Sequence, residues 1–534
     1  MIRSATAPGK TMPDETQAND PRDALHRGEG RRARRRRSGL HLAAVALVAF
    51  ALMLGSGQQG QGDAELTLDV EREWVHLYPH ALSLDGTAYL GQRAVRDAEV
   101  TWQVLSGPGE VVFEGEGLGV EATFGAPGTY TLLVTAEAAG QKASRELTVE
   151  VVVAQADYYV SPDGSDRNDG RSIDAPFRTI RRAARAVRPG DVVMLRGGVY
   201  SEYNTADSWR RGGEPGAPIT FMSYPGERAI VDGSHVERDP RSSNPSAPEL
   251  VRIVDLDWYV FDGITFRNSA GRGLALEGSH HVVRNVVAHS NHGDGIYLKG
   301  SYNLVEDSAS YDNFSRSNGG DSADGIKIVQ GTGNVIRRFL AYENSDDGID
   351  IWDTTDTLVE YSAAFRNGRG STGNGMGFKM GRDGLTSHSV IRFNVAFENR
   401  AHNFTDNGAG GLQVYNNTSY GAGGFGFAVR GRPDVERSLV ANNISFRDAE
   451  GVLIDVERRG GQRPESRNNT WDLGIDDPMF ASLDPDSPGF LRLRPGSPAI
   501  DAGYALGFPF VGEAMDIGAF EASRTRAPTR TEGG

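Results

Sequence analysis

Between Gly319 and Gly381 one phrase is written three times, as GGDSADGIKI, NSDDGIDIWD and GNGMGFKMG, with a carboxylate or a lysine recurring at the same place. Aligned on their Gly-hydrophobe pairs, the phrases put Asp324 over Asp347, and Lys327, Asp350 and Lys379 in one column. Such columns become contacts only if consecutive repeats stack as neighbouring strands, roughly 4.8 Å apart in the hydrogen-bonding direction. Stacked in that way, Asp324, Asp346, Asp347 and Asp350 converge on one spot. Like charges so close repel by about 1 kcal/mol per pair even in water, and more when buried. A hard cation removes that cost, and calcium accepts six to eight oxygen ligands. Asp-Gly pairs are also ordinary turn formers, and that reading suffices for Asp294. It does not account for Asp346-Asp347-x-x-Asp350.

Lysine is rare in this chain: Lys10, Lys142, Lys299, Lys327 and Lys379 are all there are, against many arginines. Arginine is hard to deprotonate, whereas lysine can act as a base once its pKa is depressed. Lys379 stands in the column of Asp350 one repeat further on, beside the expected cation site, and is the candidate general base.

The elements that must position these residues come from the repeat itself. From Leu250 to Val456 the chain repeats at about 22 residues, which calls for a solenoid. VAHSN, ASYDN, LAYEN, AAFRN and VAFEN align Asn291, Asn313, Asn344, Asn367 and Asn399 in one column and His289, Tyr311, Tyr342, Phe365 and Phe397 in another. Stacked Asn side chains can hydrogen-bond along a ladder, and stacked rings are expected to fill the interior of a parallel β-helix. The Asn spacings are 22, 31, 23 and 32, so two coils carry extra residues, roughly 314–323 and 368–376. Both insertions precede the carboxylate and lysine phrase and are expected to wall a cleft above it.

Ahead of the solenoid, Ile180, Ala183, Ala184 and Val187 fall at helical spacing between Pro176 and Val187, and Pro189-Gly190 stop the run. An amphipathic helix there would cap the open end of the coil. Residues 64–153 alternate in short Gly- and Pro-punctuated strands and read as a β-sandwich. Its VTWQVLSGPG and GAPGTYTLLVTA phrases resemble PKD-like or immunoglobulin-like modules, which implies a spacer. Residues 1–57 hold an arginine run from Arg31 to Arg37 and an apolar stretch of 15 residues from Leu40 to Leu54. This is the pattern of a bacterial export signal, or of a membrane anchor if it stays uncleaved. GFLRLRPGSPAIDAG and DIGAFE are expected to form closing coils, and 522–534 to be a disordered tail.

The composition favours a turn-rich, all-β protein, and the export pattern a secreted or cell-surface one. Gly numbers 68 and Cys is absent, so disulfides and thiolate metal sites are excluded. The net charge of −15 is uneven: up to Gly57 there are ten Lys+Arg against five Asp+Glu. The acidic body argues against non-specific nucleic-acid binding, and an acidic body would need bridging cations to meet an anionic substrate.

At the residues 319–381 the chain resembles the pectate lyases of polysaccharide lyase family nine; the resemblance is close there and looser over 158–521. It implies a right-handed parallel β-helix acting as a monomer on an acidic polysaccharide, pectate, by calcium-dependent β-elimination. Carried over residue by residue, the resemblance makes Asp324, Asp346, Asp347 and Asp350 the calcium ligands and Lys379 the base. HNFTDN matches a further element of the family, with Thr405 where an acidic residue is expected. Asn403 of that segment, with Lys299, Lys327 and Arg382, is a candidate substrate contact. Competing expectations are a lyase for another uronate polymer, a β-helix hydrolase using paired carboxylates without metal, and a non-catalytic adhesin.

Overall fold

Runs of three to five strand-forming residues separated by Gly, Asn and Asp turns are too short to bury a core alone, so each coil depends on the coil above and below it. The computed structural model describes residues 66–522, apart from 71–72, 79–80, 85, 91–92, 96–97, 154, 237–247, 457–460, 509 and 511. The expected export signal lies outside the described residues, as does the expected disordered tail apart from Ala522, which is buried. Within them, no helix is long and apolar enough to cross a membrane.

The coil is a right-handed parallel β-helix. One long parallel sheet of 20 strands runs from Tyr158–Val160 to Glu465–Arg467 and folds through two faces of the coil. A second sheet has nine strands: β1 Val251–Val254, β2 Leu274–Glu277, β3 Ile296–Lys299, β4 Ile326–Val329, β5 Ile349–Trp352, β6 Phe378–Lys379, β7 Phe404–Thr405, β8 Phe427–Gly431 and β9 Val452–Val456. Every neighbouring pair in it is parallel. Between the sheets lies a continuous core of Ile, Val, Leu, Ala and Phe.

Helix α1 (Ile180–Ala186) closes the N-terminal end, with Ile180, Ala183 and Ala184 buried and Thr179 accepting from the Arg182 N–H as its cap. Upstream, three sheets assembled from Leu66–Val70 to Gln141–Val153 enclose a separate core that includes Tyr130, Leu132 and Val134.

The asparagine column is a ladder. Asn291 Nδ2 donates to Asn313 Oδ1 at 3.0 Å, Asn313 to Asn344 at 2.8 Å, Asn344 to Asn367 at 3.0 Å and Asn367 to Asn399 at 2.9 Å. Each Oδ1 also accepts the backbone N–H of the preceding Asn in the column, as Asn367 does from Asn344. The ladder passes so close to the backbone that a Cβ on Gly348 would lie 2.7 Å from Asn367 Nδ2, which explains the glycine after each carboxylate. A second ladder, Asn394–Asn417–Asn443–Asn469, turns another corner. His281 heads a third row: its Nδ1 accepts from the Tyr259 N–H and its own N–H donates to Asn303 Oδ1.

Two expectations need correction. The rings of His289, Tyr311, Tyr342, Phe365 and Phe397 do stack, 4.6 to 5.0 Å apart, but on the outside of the coil. In each phrase the residue just before the ring, such as Ala288, Ala341, Ala364 and Ala396, is the one in the interior, because side chains alternate along a strand. The aromatic ladder inside the coil is Phe378–Phe404–Phe427, at 4.7 Å spacing. The C-terminal segment, in turn, makes no closing coil. After Glu465–Arg467 it folds back over the outer face, and Phe480, Phe490, Leu491 and Leu493 cover Phe365 and Phe397.

Two outcomes follow from these rows. Asn367→Leu strands the N–H and amide of Asn344 without their acceptor, and should cost about 2–4 kcal/mol in urea denaturation. Burial pulls the His281 pKa down to about 4, whereas the unfolded chain has about 6.5. Between these values the unfolded state holds a proton that the folded state does not, so stability falls as pH drops from about 6.5 to about 4, by about 3 kcal/mol. Denaturation at both ends of that window should show the loss in the wild type and a smaller one in His281→Asn.

Candidate active site

The nine-stranded sheet turns the aligned phrases into contacts. Tyr297, Lys327, Asp350, Lys379 and Thr405 are successive partners across β3 to β7. At the turn just before each strand lies a second column, in which Asp324 N–H donates to Asp294 Oδ1 (3.1 Å), Asp347 N–H to Asp324 Oδ1 (2.9 Å) and Met376 N–H to Asp347 Oδ1 (2.8 Å). The other oxygen of each carboxylate faces a cation: Asp294 Oδ2 takes Arg272 Nε at 2.9 Å, Asp324 Oδ2 takes Lys327 Nζ at 2.9 Å, and Asp347 Oδ2 takes Lys379 Nζ at 3.1 Å. One oxygen is thus spent on the fold and one on the site. Without both partners, fully buried carboxylates would not be tolerated.

Asp350 completes the group. Its Oδ2 receives Lys327 Nζ at 2.7 Å and Lys379 Nζ at 3.2 Å, while its Oδ1 is buried with no hydrogen-bond partner. One oxygen from each of Asp324, Asp347 and Asp350 lies within 4.8 Å of the others. Asp346 stands beside this trio. Its Oδ1 accepts from the Asn374 N–H at 2.5 Å and its Oδ2 from the Ser322 N–H at 2.8 Å.

Burial and charge decide the protonation. Burial and the neighbouring Asp324 charge push the Asp347 carboxyl well above the ordinary range, against weaker opposition from Lys379. Burial and Asp324 also push Asp346 up to about 6, against the two backbone N–H groups that lower it. For Lys379, burial alone would lower the pKa, but Asp350, Asp347 and Asp324 outweigh it and raise the value above that of a free lysine. Lys327 is raised in the same way by Asp324, Asp350 and Asp294. Four aspartates against two lysines leave this cluster two positive charges short.

Above the cluster opens a groove of about 430 Å³, lined by Arg272, Tyr297, Lys299, Lys327, Val329, Gln330, Trp352 and Lys379. The two insertions meet each other: Thr372 Oγ1 donates to the Asn318 carbonyl, Ser371 Oγ to the Gly319 carbonyl, and Thr372 N–H to the same Gly319 carbonyl. Arg400 reaches the Gly370 carbonyl from the next coil.

Of the four candidate contacts, Lys299 and Lys327 line the groove, and Arg382 and Asn403 do not. The Arg382 guanidinium pairs with Asp353 and the Asp383 carbonyl. Asn403 is fully buried, with its amide shared among Asn399, the Ala396 carbonyl and Ser419. Thr405 is likewise buried. The turn reading of Asp294 is too small: it is a fully buried member of the carboxylate column, paired with Arg272. HGDGIYLK and GRGLAL carry the same phrase one and two repeats earlier, and an alignment extended to them finds both residues. Trp352, 38 % exposed, and Tyr297, under the Arg272 guanidinium at 3.7 Å, carry no sequence signal beyond their column.

Residues 158–443 match the family model described as Pel9A-like, right handed beta helix region. The chain is 33% identical over 401 residues to pectate lyase L of Dickeya chrysanthemi, covering 68% of this chain and 90% of that protein. It is 30% identical over 412 residues to pectate lyase L of Paenibacillus polymyxa, covering 68% and 87%. The crystal structure of pectate lyase Pel9A superposes with a TM-score of 0.57 at 30% identity, over 68% of this chain and 96% of that one. Fold and relatives together define a β-helical polysaccharide lyase. The chain belongs to the Pel9A-like right-handed β-helix family.

Asp346, whose two oxygens hold Ser322 of one insertion and Asn374 of the other, is the clasp between them. Asp346→Ala should accelerate amide exchange over 315–323 and 370–376 by at least about tenfold while leaving the ladder amides of Asn344 and Asn367 protected. Unchanged protection in both segments would assign the clasp to the Thr372 and Ser371 bonds instead.

Proposed function

We propose that the chain is a calcium-dependent pectate lyase that cleaves polygalacturonate by β-elimination, with Lys379 as general base and Asp324, Asp346, Asp347 and Asp350 holding the cation. The observation that carries this reading is the meeting of three buried carboxylates and Lys379 at the floor of one basic groove. The donor set suits a hard divalent ion: it is all oxygen, two charges short of neutral, and includes the unpartnered Asp350 Oδ1. Bound there, the cation would neutralise the aspartates and draw electron density from a uronate carboxylate, acidifying the adjacent C5 proton.

The protein's own groups account for the remaining steps. Arg272, Lys299 and Lys327 present positive charge to an acidic polymer lying in the groove, and Tyr297 and Trp352 present ring surface to its sugars. Asp347 and Asp350 aim the Lys379 amine from two sides. While those carboxylates pair with it, Lys379 keeps its proton; with their oxygens engaged elsewhere, burial prevails and lowers its pKa. The neutral amine then takes the C5 proton, the electron pair moves toward C4, and the C4 glycosidic oxygen leaves. The product carries a 4,5 double bond conjugated to its carboxylate.

The same proposal treats 158–521 as the catalytic unit of a monomer and 64–153 as a spacer. Residues 1–57 would direct the chain out of a bacterial cell, to the medium or the cell surface.

The test is absorbance in the conjugated-enoate band during incubation of the full chain with polygalacturonate. The expected result is a rise that requires calcium, stops with chelator, increases with pH as Lys379 loses its proton, and falls by about 10²–10⁴-fold in Lys379→Ala. A chelator-resistant release of reducing ends without absorbance would make the chain a hydrolase and end the proposal. A rise on a different uronate polymer alone would keep the chemistry and change the substrate.

A further inference from the structure

Lys327 has no role in the proton transfer assigned to Lys379, and yet its ammonium is held more tightly by the carboxylates. Its Nζ bridges Asp324 Oδ2 at 2.9 Å and Asp350 Oδ2 at 2.7 Å, closer than Lys379 approaches either of its own partners. Asp324 precedes Lys327 in the same coil and Asp350 comes from the next, so one side chain ties two coils together across the acidic site. Both carboxylates belong to the trio whose oxygens converge within 4.8 Å. Lys327 therefore competes for the carboxylates that a divalent cation would need.

A tethered ammonium and a free divalent cation cannot both use those lone pairs, and they repel at such separations. The ammonium has somewhere to go. Lys327 also lines the open groove beside Arg272, Tyr297, Lys299 and Trp352, and its side chain is 22% exposed on that side of the cluster. A four-carbon stem with freely rotating bonds can move its charge between the two places without any backbone change.

On the basis of the cation assignment above, we propose that Lys327 is a tethered counter-ion of the site. In the cation-free protein it holds Asp324 and Asp350 together and lets the carboxylates remain buried. On loading of a divalent cation it leaves them for the groove, where its ammonium faces the carboxylate of a sugar neighbouring the one that reacts. The residue thus sets a ceiling on cation affinity and adds a substrate contact only in the loaded enzyme.

Calorimetric titration of calcium into the chelator-stripped full chain, without substrate, tests this, together with melting curves in chelator and in calcium. Lys327→Met keeps the stem and removes the charge. It is expected to bind calcium at least about tenfold more tightly than the wild type, to melt lower in chelator, and to gain more from calcium. Lys327→Arg keeps the charge and should stay near the wild-type affinity. A merely structural lysine would weaken calcium binding and stability together. Equal or weaker binding by Lys327→Met, with a wild-type circular dichroism spectrum, therefore overturns the proposal. A folded wild type that takes up no calcium would instead overturn the cation assignment, and the proposal with it.

Discussion

The structure depends on one constraint: every buried carboxylate of the site must find a hydrogen-bond donor in the neighbouring coil. Asp294, Asp324 and Asp347 each accept the N–H of the residue one coil further on. That bond exists only while successive coils stay in register. A slip of one residue would turn every side chain to the opposite face and leave several charges unpaired in a low-dielectric interior. The asparagine ladders and the glycine column serve the same requirement, since both hold the turns at a fixed separation and close enough for one coil to reach the next.

Within that frame the charges are divided between scaffold and site. Backbone N–H groups take Oδ1 of each carboxylate in the column, leaving Oδ2 to face Arg272, Lys327 or Lys379. The pattern changes along the coil axis, from a single ion pair at Arg272–Asp294 to the cluster around Asp350. Acidity thus accumulates at one point, where four aspartates meet two lysines. The raised pKa values of Asp346 and Asp347 report the same imbalance. Burial acts in the same direction on Asp294, whose carboxyl is also raised despite its Arg272 partner.

The longer coils add what the regular repeat cannot. Their extra residues meet each other and are pinned by Asp346 beside the acidic cluster, while the groove itself is lined by side chains that include Lys299 and Trp352. On the outer face the returning C-terminal segment covers the Phe365 and Phe397 rings, which protects an apolar strip that would otherwise be open to solvent.

Much of this is legible in the amino-acid sequence. Repetition at about 22 residues implies stacking, and stacking implies that Lys327, Asp350 and Lys379 are neighbours, because in-register parallel strands convert sequence alignment directly into contact. The asparagine ladder and the capping helix follow from periodicity in the same way. Three features do not. Rings expected in the interior lie outside, since alternation allows either face and only packing of the small alanines inside decides it. Asp294 reads as a turn residue and Asn403 as a substrate contact, because a residue's column does not say whether its side chain turns to solvent, to the core or to a neighbour. The C-terminal segment reads as further coils, because its short-range pattern is the same whether it extends the helix or lies across it. The sequence by itself determined which residues share a column, since that depends on repeat spacing alone. Only the tertiary structure decided which way each side chain points, because that is set by the packing and hydrogen-bond partners that distant segments bring to it.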